Sequence, residues 1–285
     1  MGLGDELMIT GFVEQEKKKH PNKQIVIGDL KKKIIYDSPI YKNNPNITPI
    51  NKVDRNKPIH FINYYNEARP YIDYERSSDK KWKWNMNFSP TPGRLYFSEK
   101  EISKAKTIIE LAKNDWHKNN KFNYKGIIFF ESTSTKIDHS FFYNKMKNKD
   151  WGESNWKKLI LKLKENYLII QSKHEKSKQY DGAYYSAIDF DFRTAGAIIS
   201  ECDLFIGPEG GFGHVAAALK KKAVLYFGGW IHPQVTGYQF HENIYFDHPK
   251  SPCGAVGYIC DHCEEARKLI NVENIYNKVI ESLRK

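Results

Sequence analysis

Hydrophobic and polar positions follow a helical period near the N-terminus and a strand period soon after it. Residues 7–19 carry apolar side chains at helical spacing with charges between them, and Pro21 lies beyond, so we expect a helix there. Short apolar runs at residues 24–28 and 34–36 predict two strands. From residue 38 to residue 94 the chain is rich in Pro, Asn and aromatic residues with little periodicity. This stretch predicts loops and short strands that form a pocket wall.

The rest of the chain alternates strand patterns with helix patterns. Ser98 and Glu101 have the spacing of a capping box for a helix that ends near residue 117. The predicted strands that follow are 124–131, 167–171, 203–207 and 223–227, and the predicted helices are 155–166, 193–201, 214–219 and 274–284. This order predicts an α/β fold in which a parallel sheet is covered by helices, and the first of these strands starts a second domain.

The strongest local motif is residues 203–218, DLFIGPEGGFGHVAAA, in which a buried strand runs into a glycine turn and a small-residue helix. Gly210, Gly211 and Gly213 let a ligand approach the backbone, and the N-terminus of the following helix favours a pyrophosphate. A tight turn without a ligand is the plain alternative. Gly211, Gly213 and Ala216 also satisfy G-x-G-x-x-A, but the stretch about 20 residues on holds no acidic residue for a ribose, which argues against a dinucleotide-binding dehydrogenase.

At the N-terminus, Gly2 and Gly4 flank Leu3 in a glycine turn that ends in Asp5, just before the first predicted helix. Asp5 could cap that helix through its side-chain oxygen. Alternatively, a carboxylate beside small residues leaves room for a substrate hydroxyl, as a general base requires. The residues alone leave both interpretations open.

Composition and charge narrow the class of protein. The chain has 285 residues and a formal net charge of +11, from 45 Lys and Arg against 34 Asp and Glu. No stretch approaches 18 uninterrupted apolar residues and the N-terminus lacks a signal-peptide pattern, so we expect a soluble, non-secreted protein. The positive charge attracts anionic partners. The lysine runs are scattered without a single basic arm, so nucleic acid is not the expected partner.

Three C-terminal cysteines, Cys253, Cys260 and Cys263, form C-x6-C-x2-C with His248 and His262 close by. These thiolates with His262 could hold a structural zinc ion in tetrahedral geometry. Reduced, buried thiols are the favoured alternative in a cytosolic protein without paired C-x2-C motifs.

Three segments together resemble glycosyltransferase family 9, the heptosyltransferase-like enzymes. The segment GLGDELMITGFVEQEKKKHPNKQIVI is similar to the family's opening Gly-Asp turn, helix and strand. The segment KNKDWGESNWKKLILKLKENYLII resembles its Lys-x-Trp segment and following helix, and DLFIGPEGGFGHVAAALKKKAVLYFGG resembles its donor loop. The resemblance covers the first 28 residues and the chain from about residue 124 onward, whereas residues 38–120 match nothing that we can place.

The resemblance implies two Rossmann-like domains facing a cleft, the GT-B arrangement, with an acceptor-binding domain at 1–121 and a donor-binding domain at 122–285. It implies a C-terminal helix that packs back towards the N-terminal domain. The implied reaction is an inverting, metal-independent transfer of a sugar from a nucleoside diphosphate, with ADP-heptose as the suggested donor and no cofactor required. The acceptor would be a hydroxyl of a glycan or lipopolysaccharide-like glycolipid. The implied location is cytoplasmic, in peripheral contact with an anionic inner-membrane surface.

Carried over position by position, the resemblance makes Asp5 the general base and Lys149 a ligand of a donor phosphate. A solvated lysine is the plain alternative for Lys149. The implied donor-diphosphate loop consists of Glu209, Gly210, Gly211, Gly213 and His214, and Glu175 would hold the ribose hydroxyls. His214 could instead be a packed residue at the helix start.

Besides the unmatched residues 38–120, where the acceptor should bind, the sequence departs from the family pattern in two places. No strand pattern precedes the Gly-Asp turn, so either the start is truncated or the first strand is missing, and Glu209 stands where the family more often has Asp. Two other functions therefore stay open. One is a nucleic-acid-modifying glycosyltransferase, for which the aromatic run at 82–88 could stack bases. The other is a non-catalytic nucleotide-sugar-binding protein, if Asp5 is misplaced.

Overall fold

The computed structural model describes residues 2–63, 69–133, 147–173 and 178–284. It begins with helix α1 (Leu3–Lys19), which starts four residues before the predicted helix at 7–19. The backbone of Gly2 is extended and its N–H donates to Asp5 Oδ2 at 3.2 Å. This hydrogen bond satisfies one of the N–H groups at the helix start, so the polar Gly-Asp segment forms the first turn of the helix.

Helix α1 leads into a three-stranded sheet with the order β2-β1-β3. The central strand β1 (Gln24–Asp29) is buried over most of its length. It pairs antiparallel with β2 (Ile34–Ile35) and in parallel with β3 (Ile59–Ile62). The two strands expected near residues 24–28 and 34–36 are thereby confirmed.

Loops, short 3-10 turns and short strands make up the described residues 38–63 and 69–94, in agreement with the prediction. Strands β4 (Ile72–Ser78) and β5 (Lys81–Trp84) form an antiparallel hairpin. The Trp84 indole N–H donates to the carbonyl oxygen of Trp230 at 3.0 Å. The hairpin is therefore docked onto the C-terminal half of the chain.

The C-terminal half contains the predicted parallel sheet. It has five strands in the order β10-β9-β8-β6-β7. They are β6 (Ile127–Phe130), β7 (Leu168–Gln171), β8 (Leu204–Pro208), β9 (Lys222–Gly228) and β10 (Glu242–Tyr245). Strands β6, β7 and β8 are buried at every position because helices cover both faces of the sheet.

Helices surround this sheet. They are α2 (Glu99–Asn119), α3 (Glu153–Leu163), α4 (Phe192–Glu201), α5 (Gly211–Ala218), α6 (Pro233–Thr236), α7 (Asp261–Leu269) and α8 (Val272–Arg284). Helix α2 has the predicted capping box of Ser98 and Glu101, and it packs on α4 and β7. The domain boundary between residues 121 and 122 stays a prediction. Within the described ranges, no helix combines the length and apolar character needed to cross a bilayer.

The last helix packs differently from what the resemblance implied. Helix α8 lies against α3 and strands β8, β9 and β10 of its own half, instead of returning to the N-terminal half. Its buried residues Ile275 and Val279 are four positions apart, so they lie on one helix face and join the core on that side of the sheet.

The opposite side of the sheet carries the connection between the two halves. Its core includes Ile9 of α1 and Ile25 of β1 together with Phe205 of β8. Arg193 of α4 is buried, donates to the carbonyl oxygen of Pro39 at 2.9 Å and pairs with Glu101. One continuous core thus joins α1 to the large sheet, and Arg193 ties α4 to α2 and to the chain at Pro39.

Candidate active site at the meeting of two helix N-termini

Helices α1 and α5 begin side by side. A Cβ atom placed on Gly4 would lie 3.0 Å from the Cα atom of Gly211 and 3.0 Å from Cδ2 of His214, which is closer than side chains pack. Glycine at position 4 therefore permits the approach. The unpaired N–H groups and the positive dipole ends of two helices lie together, and this arrangement favours an anionic group.

Asp5 lies in the first turn of α1 and is buried, with only 9% of its surface exposed. Its Oδ1 accepts a hydrogen bond from the Tyr71 hydroxyl at 2.6 Å, and its Oδ2 accepts from the Arg69 Nε at 3.2 Å and from the N–H of Gly2. The interpretation of Asp5 as an N-cap is wrong, since Gly2 is the N-cap residue. Burial, followed by the charge of Asp5, raises the pKa of Tyr71, so this phenol stays a hydrogen-bond donor. Three donors fix the orientation of the carboxylate.

The structure brings together Lys149 and Glu209, two residues expected at the donor diphosphate. Glu209 directly follows β8 and is buried, and its Oε2 forms an ion pair with Lys149 Nζ. Lys149 ends a short 3-10 turn, Lys147–Lys149, and its Nζ lies 4.8 Å from the centroid of the Trp230 ring. Lys149 is therefore a held cation with 16% side-chain exposure, not a solvated lysine.

Two of the loop glycines, Gly211 and Gly213, pack closely against neighbouring side chains. Gly210 is the N-cap of α5. A Cβ atom on Gly211 would lie 3.1 Å from the Phe192 ring, and one on Gly213 would lie 3.1 Å from Leu225 of β9. A larger side chain at either position would push the start of α5 away from its neighbours.

His214 lies in the first turn of α5 and is buried. Its Nδ1 is 2.9 Å from the Tyr238 hydroxyl. Burial lowers the pKa of His214, against the opposing charges of Glu209 and Asp5, so the imidazole is neutral near pH 7. His214 is thus both packed and close to the other site residues, and it contributes shape and hydrogen bonding instead of charge.

Glu131 was not predicted from the sequence, although it directly follows a run of four apolar residues in β6. Its carboxyl accepts from the N–H of Thr133 at 2.8 Å and from the hydroxyl of Ser172, just beyond β7. Burial raises the pKa of Glu131 to about 7 in spite of these hydrogen bonds. The residue lies at the carboxyl edge of the parallel sheet, where ligands bind in open α/β folds.

Arg69 and Tyr71 were also missed, because they belong to the stretch that resembles nothing we can place. Glu175, expected to hold the ribose hydroxyls, lies outside the described residues.

Three cysteines form a compact thiol triangle that consists of Cys253, Cys260 and Cys263. The Sγ of Cys253 is 3.2 Å from that of Cys263 and 3.5 Å from that of Cys260. The hydrogen bond from Cys263 lowers the pKa of Cys253 to about 6. The structure does not bring His262 into the triangle, because its Nε2 is bonded to the Ser251 hydroxyl at 2.7 Å.

Comparisons with known proteins agree with this architecture. A search of curated proteins finds no match to the sequence. Among solved structures, the iron-containing dodecameric glycosyltransferase TibC from enterotoxigenic E. coli is 13% identical with a TM-score of 0.59, over 100% of this chain and 74% of TibC. TibC in complex with ADP-D-β-D-heptose gives the same score and identity over 99% of this chain and 74% of TibC. The family 9 glycosyltransferase from Veillonella parvula is 13% identical with a TM-score of 0.58, over 99% of this chain and 94% of that one.

These structural similarities confirm the α/β fold with Rossmann-like halves, of the GT-B type. In addition, the family model for glycosyltransferase family 9 (heptosyltransferase) matches residues 97–254, more than half of the chain. The chain belongs to glycosyltransferase family 9.

Proposed function

We propose that this chain is an inverting glycosyltransferase that moves a sugar from a nucleoside diphosphate to an acceptor hydroxyl. The observation that carries the proposal is the position of Asp5, a carboxylate held by three donors where two helix N-termini meet. Family membership and the ADP-heptose bound to TibC make ADP-heptose the first donor to test. The acceptor would be a glycan or a lipopolysaccharide-like glycolipid.

In this reaction Asp5 takes the proton of the acceptor hydroxyl while that oxygen attacks the anomeric carbon. The bond from the anomeric carbon to the diphosphate oxygen breaks, and the electron pair leaves with the nucleoside diphosphate. The N–H groups at the start of α5, together with Lys149, meet the charge that builds on this leaving group. An ammonium group has three donors, so Lys149 can keep its bond to Glu209 and also reach a phosphate.

The N–H groups at the start of α5 and the Lys149 cation would stabilise the diphosphate in the proposed transfer, so the reaction would need no metal there. Full activity after dialysis against a chelator would support this part of the proposal. The net charge of +11 would favour an anionic acceptor or the anionic cytoplasmic surface of the inner membrane.

The thiol triangle of Cys253, Cys260 and Cys263 fits a structural metal ion. For bonds of about 2.3 Å, tetrahedral thiolate ligands lie roughly 3.8 Å apart. The sulfur separations of 3.2 and 3.5 Å are close to this spacing. Since TibC is iron-containing, both iron and zinc are candidates, and bound metal that disappears in a Cys260→Ser variant would distinguish a metal site from three reduced thiols.

The nucleic-acid alternative loses part of its support, the stacking of Trp84 on a base. Trp84 of the aromatic run is buried, and its ring centroid lies 4.9 Å from that of Trp230. A ring packed in this way is not available to stack on a base. The non-catalytic alternative predicts donor binding by the wild-type chain without transfer.

The test of the proposal is Asp5→Asn. Arg69 and Gly2 both donate to Oδ2, so the amide oxygen can take that place, and the amide nitrogen can donate to the Tyr71 hydroxyl. The variant should therefore fold and bind ADP as the wild type does in calorimetry. Its rate of heptose transfer from ADP-heptose should fall by about 10² to 10⁴, the range for loss of a general base. Near-wild-type turnover would leave Asp5 with a structural role.

A further inference from the structure

A second cluster of metal-ligating side chains lies at the opposite end of α1 from Asp5. Glu16 and His20 are four residues apart, so they share one face at the end of the helix. The parallel pairing of β3 with β1 brings His60 beside them. The Nε2 atoms of His60 and His20 lie 3.0 Å and 3.8 Å from the same Glu16 oxygen, Oε2. All three ligand atoms lie within 4.8 Å of one another.

We propose that Glu16, His20 and His60 form a binding site for a divalent transition-metal ion, with Zn²⁺ as the first candidate. Two imidazole nitrogens and one carboxylate oxygen make a ligand set that Zn²⁺ takes in proteins. With bonds of about 2.0–2.1 Å, neighbouring ligands of a tetrahedral ion lie roughly 3.3–3.4 Å apart. The two separations from Glu16 Oε2, 3.0 and 3.8 Å, lie on either side of this value.

Neighbouring contacts and partial exposure leave these ligand atoms accessible to a metal ion. Lys19 Nζ lies 2.8 Å from Glu16 Oε1, and this contact leaves Oε2 to the two imidazoles. The side chains of Glu16, His20 and His60 keep 23–30% exposure, so solvent can supply a further ligand.

A metal ion here would join α1 to β3. Strand β3 is four residues long, half-buried at every position and at the edge of the described three-stranded sheet, where β1 is its only strand partner. Helix α1 carries Asp5, and the chain beyond β3 leads to Arg69 and Tyr71, which hold that carboxylate. The ion would thus fasten two segments that meet again at the active site. The inference does not rest on the proposed function, since it concerns metal binding alone.

The experiment compares zinc binding by the full chain with that of His20→Gln and His60→Gln. Each protein is stripped with a chelator, titrated with Zn²⁺ in a calorimeter, and heated with and without Zn²⁺. Glutamine keeps a hydrogen-bonding side chain at each position but removes the imidazole. The matched control is His117→Gln, which changes an exposed histidine on α2.

We expect wild type and His117→Gln to bind one more Zn²⁺ per chain than either variant at the cluster. The affinity lost should exceed the 10–100-fold typical of changes outside the ligands themselves. Co²⁺ separates this site from the thiol triangle, because a nitrogen and oxygen site lacks thiolate-to-metal charge-transfer absorption. The Co²⁺ ion that binds to wild type but not to His60→Gln should therefore contribute no charge-transfer absorption.

Equal zinc stoichiometry and affinity in wild type, His20→Gln and His60→Gln would overturn the proposal. Loss of the thiolate-to-Co²⁺ absorption band in His60→Gln would also overturn it, because the missing ion would then have been bound at the thiol triangle. Glu16→Gln gives an independent arm if one histidine variant fails to fold. It keeps an oxygen that can accept hydrogen bonds but removes the ligand charge, and wild-type zinc affinity in this variant would also count against the site.

Discussion

Replacing Gly4 with alanine should separate the two helices that meet at the active site. The new Cβ atom would lie 3.0 Å from Gly211 Cα, 3.0 Å from His214 Cδ2 and 3.4 Å from Gly211 N. Carbon atoms in good contact are about 3.5–4.0 Å apart. Two of the three neighbours are backbone atoms of α5, which cannot turn aside as a side chain can. Helix α1 must therefore move by roughly 0.5–1 Å relative to α5.

The magnitude follows from two opposing effects. Forcing an extra methyl group into a packed position costs about 1–3 kcal/mol of unfolding free energy. Alanine regains roughly 0.5–1 kcal/mol over glycine in a helix, so we expect a net loss of up to about 2.5 kcal/mol. Catalysis should suffer more, because a displacement of about 1 Å in a reacting group can lower a rate by about 10².

The matched control is Gly11→Ala in the same helix. Its Cβ atom would lie 2.7 Å from the Thr91 carbonyl oxygen, a tighter clash than at Gly4, but seven residues or about 10 Å along the helix axis. We expect Gly11→Ala to lose at least as much stability in thermal unfolding and to keep far more of its turnover number with ADP-heptose. If Gly4→Ala folds and turns over like the wild type, or if both variants lose turnover in proportion to stability, the helix junction does not position Asp5.

Two further predictions concern residues of the C-terminal half, Lys149 and Glu131. Lys149→Ala should lower both ADP affinity and turnover by about tenfold or more, because it removes the cation assigned to the leaving group, whereas Lys157→Ala on the exposed face of α3 should change neither; equal kinetics in the two variants would contradict the phosphate assignment. Burial raises the pKa of Glu131 from 4.5 to about 7, so its ionisation opposes folding increasingly as pH rises through that interval. Between pH 4.5 and 8, wild type should lose about 3 kcal/mol of unfolding free energy relative to Glu131→Gln, as measured by urea unfolding, and parallel pH profiles would show that this group is not the cause.

The large sheet could be predicted because its signals are local. Strands β6 and β7 read IIFF and LIIQ, and such apolar runs between helix patterns are typical of a parallel sheet buried on both faces. The capping box of α2 is equally local, since the Ser98 hydroxyl accepts from the N–H of Glu101 at 3.3 Å. Strand β10, ENIY, was missed because it is half-buried at every position and has no apolar run.

The surroundings of the proposed base could not be predicted, because they depend on distant contacts. Arg69 and Tyr71 reach Asp5 across 64 and 66 residues, from a stretch without periodicity. The predicted helix begins at residue 7 instead of Leu3, because the first turn of α1 has no apolar repeat. A hydrogen bond from the backbone N–H of Gly2 to Asp5 sets the helix boundary instead. The role of Asp5 as a base remains a proposal that comes from a resemblance, and the geometry supplies the positioning groups.

The ion pairs of Asp5 and Glu209 explain how a site with buried carboxylates could accept a diphosphate. Asp5 pairs with Arg69, Glu209 pairs with Lys149, and His214 is neutral because burial lowers its pKa. The charges of these two ion pairs therefore sum to zero before a donor arrives. An approaching anion is then attracted by what is left uncompensated, the dipole ends of α1 and α5. Asp5 can then take part in proton transfer, and Glu209 can position Lys149, without either carboxylate repelling the donor. The ion pairs therefore matter as much as the glycines between them.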